Sequence, residues 1–203
     1  MNDAGDVVIV DAGGANLGSV RAAFARLGVE PAVSRDPARI AAASRLVLPG
    51  VGAAAPVMEI LRSSGLDRLL QSVQAPLLGI CIGMQVLFER SEEGDVPALG
   101  LLRGRVRKLP PAPGLRLPHM GWNTLQQRVD SPLLEGIADG AHAYFVHGYA
   151  ATDSVDAIAD STHGETFAAI VQRANVAGAQ FHPERSGEVG ARFLRNFLAW
   201  NPA

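Results

Sequence analysis

Short apolar runs alternate with amphipathic segments along the first half of the chain. Continuous apolar runs of this length are typical of strands that are buried on both faces, whereas apolar positions recurring every three or four residues predict helices. The pattern predicts strands at 7–10, 29–33, 45–48 and 76–80, and helices at 16–27, 36–43, 56–74 with an interruption at Gly65, and 82–90. Alternating strands and helices of this kind predict an α/β fold with a mostly parallel sheet covered on both faces.

The pattern changes after residue 100, near the proline-rich stretch LPPAPGLRLP at 109–118. Strand-like runs then dominate, and a single helical segment closes the chain. The predicted strands lie at 101–109, 121–129, 143–150, 157–160, 167–172 and 177–181, and the helix at 187–200. With 203 residues and no linker or repeat, we expect one domain, 1–203, with a strand-rich C-terminal half.

Composition narrows the possible partners. The chain has 18 Lys and Arg residues against 20 Asp and Glu residues, a formal charge of −2, and no extended basic surface is indicated. This balance argues against nucleic acid as a partner. The sequence has no apolar stretch of membrane-spanning length, its start does not resemble a secretion signal, and its one cysteine cannot form an internal disulfide. We therefore expect a cytoplasmic protein that does not contact membranes.

The single cysteine lies in PLLGICIGMQVLF at 76–88. Cys81 falls between Gly79 and Gly83, at the junction of a predicted strand and a predicted helix. Small residues two positions on either side of a nucleophile permit the sharp turn of a nucleophile elbow, and a helix N-terminus stabilises a thiolate. A free cysteine also serves as a small buried hydrophobic residue, so a structural role stays open at this point.

A histidine and a glutamate follow the last predicted strand in GAQFHPERSG at 178–187. In extended chain, His182 and Glu184 would project to the same side, so the carboxylate could orient the imidazole while the imidazole takes a proton from Cys81. The alternative is a capped strand end before the last helix. His119 and His147 could be packed or functional. Zinc is a poor fit to Cys81, His182 and Glu184, because one Cys, one His and one Glu lack the spacing of zinc ligands.

Acyl transfer also needs hydrogen-bond donors for the developing oxyanion. The elbow supplies the backbone N–H of Ile82, and a second donor could come from LPGVG at 48–52, where Gly50 and Gly52 follow a strand. The glycines of DAGGANLG at 11–18 do not have the spacing of a dinucleotide-binding loop.

Together, LPGVG, GICIGMQ and FHPE resemble the motifs of class I glutamine amidotransferases. DAGGANLGSV, PHMGWN and YFVHGY are similar, more narrowly, to the glutaminase subunits of imidazole glycerol phosphate synthase in histidine biosynthesis. The resemblance implies a flavodoxin-like fold and glutamine hydrolysis without a cofactor or metal. It makes Cys81 the nucleophile, His182 the base and Glu184 the residue that orients it.

The same resemblance implies roles for other segments. Residues that would form the oxyanion strand or contact glutamine are Gly50, Val51, Gly52, Gln85, His147, Gly148 and Tyr149. Residues that would face a (β/α)₈ cyclase partner, in a heterodimer that channels ammonia, are Pro118, His119, Met120, Gly121 and Trp122. A core position for Trp122 is the alternative.

The chain departs from the family pattern at Ala12, Ala54, Gly148 and Arg185, which affects the pocket and interface but not the triad. Two further functions stay open: a glutaminase serving another synthase, and a non-catalytic docking subunit.

Overall fold

An eight-stranded sheet lies at the centre of the structure, a computed structural model that describes residues 5–13 and 16–202. In chain order the strands are β1 (Val7–Val10), β2 (Ala32–Ser34), β3 (Arg45–Gly50), β4 (Leu77–Cys81), β5 (Arg90–Ser91), β6 (Val96–Pro97), β7 (Arg105–Lys108), β8 (His119–Thr124), β9 (Gln126–Gln127), β10 (His142–His147), β11 (Tyr149–Ala150), β12 (Ala157–His163), β13 (Glu165–Arg173) and β14 (Val176–Ala179). The helices are α1 (Leu17–Ala25), α2 (Pro37–Ala41), α3 (Ala54–Ser63), α4 (Leu66–Ser72), α5 (Ile82–Gln85) and α6 (Gly187–Ala199).

The order of strands in the main sheet is β2-β1-β3-β4-β14-β13-β12-β9. Neighbours from β2 to β14 are parallel, and the last three strands add antiparallel pairs. Every residue of β1, β3 and β4 is buried, as expected for parallel strands with helices on both faces. The first five strands have the flavodoxin-like order, so the predicted α/β fold with a mostly parallel sheet is confirmed.

Two smaller sheets pack beside the main one. The antiparallel pair β8 and β10 brings the PHMGWN and YFVHGY segments together, with Trp122 opposite Tyr144 and His119 opposite His147. A four-stranded sheet has the order β11-β7-β5-β6. The strand-rich second half was therefore correctly predicted, and these pairs place several histidines and aromatic side chains near the end of β4.

The predicted helix at 82–90 is wrong beyond its first turn. Helix α5 ends at Gln85, and the next three residues, 86–88, are fully buried. Their carbonyl groups accept hydrogen bonds from the segment 99–102 instead of from a continuing helix. Because residues 86–88 are all apolar, they show no helical periodicity. The sequence pattern therefore could not distinguish a helix from a buried turn.

The helical segment predicted at 56–74 divides at Gly65, as expected. This glycine has a φ of +69° and separates α3 from α4. The closing helix α6 is confirmed, and its residues Phe193, Leu194 and Phe197 are buried. None of the helices in residues 5–13 and 16–202 is long and apolar enough to cross a membrane.

Candidate active site

Cys81 is the last residue of β4 and forms a strained turn into α5. Its backbone angles are φ +54° and ψ −112°, a conformation that costs a non-glycine residue of the order of 1–3 kcal/mol. The side chain is 4% exposed, and the residue caps the N-terminus of α5, where backbone N–H groups are free of helical partners. This is the geometry of a nucleophile elbow, so the predicted elbow is present in the structure.

The glycines around Cys81 permit close contact between backbones. A Cβ atom on Gly83 would lie 1.7 Å from the carbonyl oxygen of Leu48, and one on Gly79 would lie 2.6 Å from the carbonyl oxygen of Gly83. Gly50 is similarly constrained, because its Cβ would meet the backbone nitrogen of Gly83 at 2.9 Å. Gly50 therefore packs against the elbow and does not line the cavity, whereas its neighbours Val51 and Gly52 do.

His182 and Glu184 form a buried hydrogen-bonded pair. Nδ1 of His182 lies 2.7 Å from Oε1 of Glu184, and the two side chains are 4% and 1% exposed. The predicted extended chain is wrong, because Pro183–Arg185 form a 3-10 turn, but the carboxylate still reaches the imidazole. Asn16 donates a second hydrogen bond to the same oxygen at 2.5 Å. Burial raises the pKa of Glu184, but the bonds from His182 and Asn16 outweigh burial and lower it.

The surroundings of His182 favour the protonated form of its imidazole. Burial lowers its pKa, but Cys81 and then Glu184 stabilise the imidazolium more strongly and raise the pKa to about 10. With Nδ1 committed to Glu184, the remaining N–H is on Nε2. This atom is buried, and no described residue lies within hydrogen-bonding geometry of it. Cys81 is nevertheless close enough to raise the pKa of the imidazole. The Nε2 proton is therefore not committed to any other described residue.

A cavity of about 500 Å³ opens above the elbow, a size suited to a small molecule. Predicted site residues that line it are Val51, Gly52, Cys81, Ile82, Gln85, Pro118, His147, Gly148, Tyr149 and His182. Glu184 does not line the cavity and is hydrogen-bonded to two residues that do, His182 and Asn16. Nucleophile and imidazole, 101 positions apart in the sequence, thus line one cavity, and the placement favours a catalytic over a purely structural Cys81.

The sequence analysis did not predict four of the residues that line the cavity: Asn16, Glu93, Val146 and Arg185. Asn16 belongs to DAGGANLG, which was examined only for a dinucleotide pattern; Gly14 of that motif lies outside the described residues. Glu93 accepts a hydrogen bond from the backbone nitrogen of Ala54 at 3.1 Å. Burial raises the pKa of Glu93, and this hydrogen bond only partly offsets the effect.

The surface beside the cavity is aromatic and exposed. Met120 and Trp122 are 65% and 58% exposed, and Trp122 contacts Tyr144 edge to face. The guanidinium of Arg185 lies 4.5 Å from the centre of the Tyr144 ring. The core alternative for Trp122 is therefore wrong.

The expectation that His119 faces a partner is also wrong. Alternation along β8 turns its side chain inward, where it is 3% exposed.

A cysteine elbow after β4 and a His–Glu pair after β14 on this sheet define a class I glutamine amidotransferase. The family model for glutamine amidotransferase class-I matches residues 8–200. Solved structures share the fold: a glutamine amidotransferase with a TM-score of 0.74 at 22% identity, covering 95% of this chain and 97% of that one, and PurLQS from Thermotoga maritima with 0.67 at 19%, covering 96% and 98%.

Relatives with higher sequence identity than these structures indicate which family within the class the chain belongs to. Imidazole glycerol phosphate synthase subunit HisH of Xanthomonas axonopodis pv. citri is 58% identical over 193 residues, covering 95% of this chain and 96% of the relative. HisH of Xylella fastidiosa strain Temecula1 is 57% identical over 198 residues, covering 98% and 99%. The chain therefore belongs to the HisH family of class I glutamine amidotransferases.

Proposed function

We propose that the chain is the glutaminase subunit of an imidazole glycerol phosphate synthase, hydrolysing glutamine to glutamate and ammonia. The observation that carries the proposal is the meeting of Cys81 and a protonated His182 in one cavity, with Glu184 bonded to the far side of the imidazole. Membership of the HisH family supports the same activity.

The reaction follows from the charges in the site. The Cys81 thiolate attacks the carboxamide carbon of glutamine, and the N–H on Nε2 of His182 protonates the leaving ammonia. His182 is then neutral and removes a proton from the water that cleaves the γ-glutamyl thioester. Glu184 holds the ring through Nδ1 in both steps, so its contribution is to orient His182 and to stabilise its positive charge.

The oxyanion of the tetrahedral intermediate needs two backbone donors. The N–H of Ile82 is the first, since an elbow presents the residue after its nucleophile. The second comes from the 51–52 segment at the cavity wall, where Gly52 has a φ of +94° that permits peptide reorientation. We propose that binding of the cyclase with its ligand places this second donor.

Two polar groups in the cavity suit the amino-acid end of glutamine. Oε1 of Gln85 is buried without a partner among the described residues, and its side chain lines the cavity. This oxygen would accept a hydrogen bond from the substrate. The half-buried carboxylate of Glu93 would pair with the α-ammonium group.

The aromatic surface formed by Met120, Trp122 and Tyr144 supports docking of a partner subunit. Large apolar side chains that are exposed next to one another, as Met120 and Trp122 are on one face of β8, are typical of interfaces. We propose that a (β/α)₈ cyclase binds here in a heterodimer and receives the ammonia, which it uses to make imidazole glycerol phosphate and an aminoimidazole carboxamide ribotide.

The test is to measure glutamate release by the isolated chain and by the chain mixed with the cyclase and its nucleotide substrate. We expect slow hydrolysis alone and at least hundredfold acceleration in the complex, because one missing oxyanion donor costs about 10²–10³ in rate. A second comparison is Glu184→Gln against His182→Ala, in which the first should retain more activity. Equal rates with and without the cyclase would contradict the regulatory part of the proposal, and a different synthase responding would support the rival assignment.

A further inference from the structure

A buried amide lies beside the catalytic sulfur and has no part in the proton transfers above. Gln180 follows β14, and its side chain is fully buried. Its Nε2 lies 3.9 Å from Sγ of Cys81, and its Oε1 lies 3.0 Å from Nε2 of Gln85. The amide of Gln180 thus contacts Gln85 at one end and the sulfur of Cys81 at the other.

A backbone carbonyl fixes the direction of both amides. The carbonyl oxygen of Tyr149 can only accept a hydrogen bond, and it lies 2.8 Å from the amide nitrogen of Gln85. The NH₂ group of Gln85 must therefore lie on this side, and its second hydrogen is donated to Gln180. It follows that Gln180 presents its oxygen to Gln85 and its NH₂ group to Cys81.

Two histidines are linked to Gln85 through the same carbonyl oxygen of Tyr149. The Tyr149 oxygen also accepts from Nδ1 of His147 at 2.9 Å, so Nε2 of a neutral His147 is an acceptor. Nδ1 of His119 lies 3.0 Å from that Nε2 and must be the donor. Burial, followed by the charge of neighbouring histidines, lowers the pKa of His119 to about 4 and that of His147 to about 3, so both rings are neutral at pH 7.

The line ends near the surface, on the strand that carries Trp122. Asn123 lies with its Nδ2 3.3 Å from Nε2 of His119, the atom left as the acceptor, and it also donates to the carbonyl oxygen of Thr162 at 2.8 Å. One arrangement of hydrogens therefore gives each of these contacts a donor and an acceptor, and it leaves Oε1 of Gln85 as the acceptor without a partner among the described residues.

We propose that Gln180 is a further catalytic residue, which donates an N–H to the Cys81 thiolate, and that His147 and His119 are positioning residues that hold this donor in place. Its effect on glutamine hydrolysis rests on the proposed function. The effect of Gln180 on the thiolate does not, because it depends only on the contact between Gln180 and the sulfur.

The first test uses Gln180→Met, which keeps the length of the side chain and removes the donor, and Gln180→Glu, which keeps the oxygen facing Gln85 and places a carboxylate near the sulfur. The rate of Cys81 alkylation by iodoacetamide is measured against pH in the isolated chain without glutamine. The alkylation rate at pH 7 should fall about tenfold in the first variant, because a hydrogen bond to a charged group is lost. It should fall further in the second.

The matched control is Gln172→Glu on β13, where the side-chain oxygen accepts from Ser131 and lies away from the elbow. It should alkylate like the parent. Circular dichroism melts show that each variant is folded, and if the charged Gln180 variant does not fold, the uncharged one decides. A folded Gln180→Met protein with an unchanged alkylation profile would overturn the proposal. A shifted profile in a chain that does not hydrolyse glutamine would instead refute only the proposed function.

The second test concerns the positioning residues. His119→Asn keeps a donor near the position of Nδ1, whereas His119→Phe removes it and leaves Nε2 of His147 without a donor, although Nδ1 of His147 keeps its bond to Tyr149. We expect about a threefold to tenfold slower alkylation at pH 7 in the phenylalanine variant, with most of the loss restored in the asparagine variant. Equal alkylation rates in the parent and both variants, all folded, would refute the positioning role.

Discussion

Replacing Gly83 by alanine should damage the elbow far more than the small size of the change suggests. The added Cβ would lie 1.7 Å from the carbonyl oxygen of Leu48, whereas ordinary van der Waals contacts of a Cβ atom are 3.4–4 Å. Strand β3 and helix α5 must therefore separate by more than 1 Å, in a region where every residue is buried. Overpacking of a core typically costs about 1–3 kcal/mol, and a clash between two backbones belongs at or above the upper end.

Gly18 provides a matched control, because it also lies in a helix but its Cβ would meet nothing within 4 Å. Gly18→Ala should stabilise the chain by up to about 1 kcal/mol, since alanine is the better helix former. Thermal and urea denaturation should give a melting temperature about 6–12 °C lower for Gly83→Ala, because 1 kcal/mol corresponds to about 2–4 °C at this size. A Gly83→Ala protein that melts within 2 °C of the parent would refute the close-contact explanation of the glycines.

Three further predictions concern the nucleophile, the docking surface and the response to acid. Cys81→Ala should abolish glutamine hydrolysis but allow product formation from ammonium salt in the complex; loss of both activities would point to a structural role. Trp122→Ala should weaken cyclase binding while the isolated chain melts within about 2 °C of the parent, since the side chain is 58% exposed; a large loss of stability would contradict this. His119 and His147 have folded pKa values of about 4 and 3, below the unfolded value near 6.5, so their stabilisation is complete above pH 6.5 and is lost as the pH falls toward 4. Melting temperatures between pH 6.5 and 4.5 should therefore fall in the parent and fall less in a His119→Phe, His147→Phe variant, whereas parallel curves would refute neutral histidines.

Much of the parallel sheet could be predicted because its strands are continuous apolar runs. The residues of β1, β3 and β4 are buried on both faces, and that environment leaves a clear signal in the sequence. The prediction of a helix beyond Gln85 was wrong because residues 86–88 are all apolar and give no periodic signal. Only their hydrogen bonds with the segment 99–102 show that they form a turn.

The polar part of the site was harder to predict. Cys81 and His182 stand out because glycine and proline mark unusual backbone around them. Asn16 and Gln180 carry no such mark, and they meet their partners across 168 and 99 residues of chain. His119 was assigned to the wrong face because the phase of alternation along β8 is set by its pairing with β10, which one sequence does not show.

The most direct test of the account is to trap the covalent intermediate on Cys81. The chain is mixed with the cyclase, its nucleotide substrate and isotopically labelled glutamine, quenched in acid, digested and examined by mass spectrometry. The account predicts a labelled γ-glutamyl thioester on the peptide that contains Cys81, and no label in the Cys81→Ala variant. Glutamine hydrolysis by the Cys81→Ala complex, or label on a different residue, would contradict the assignment of Cys81 as the nucleophile.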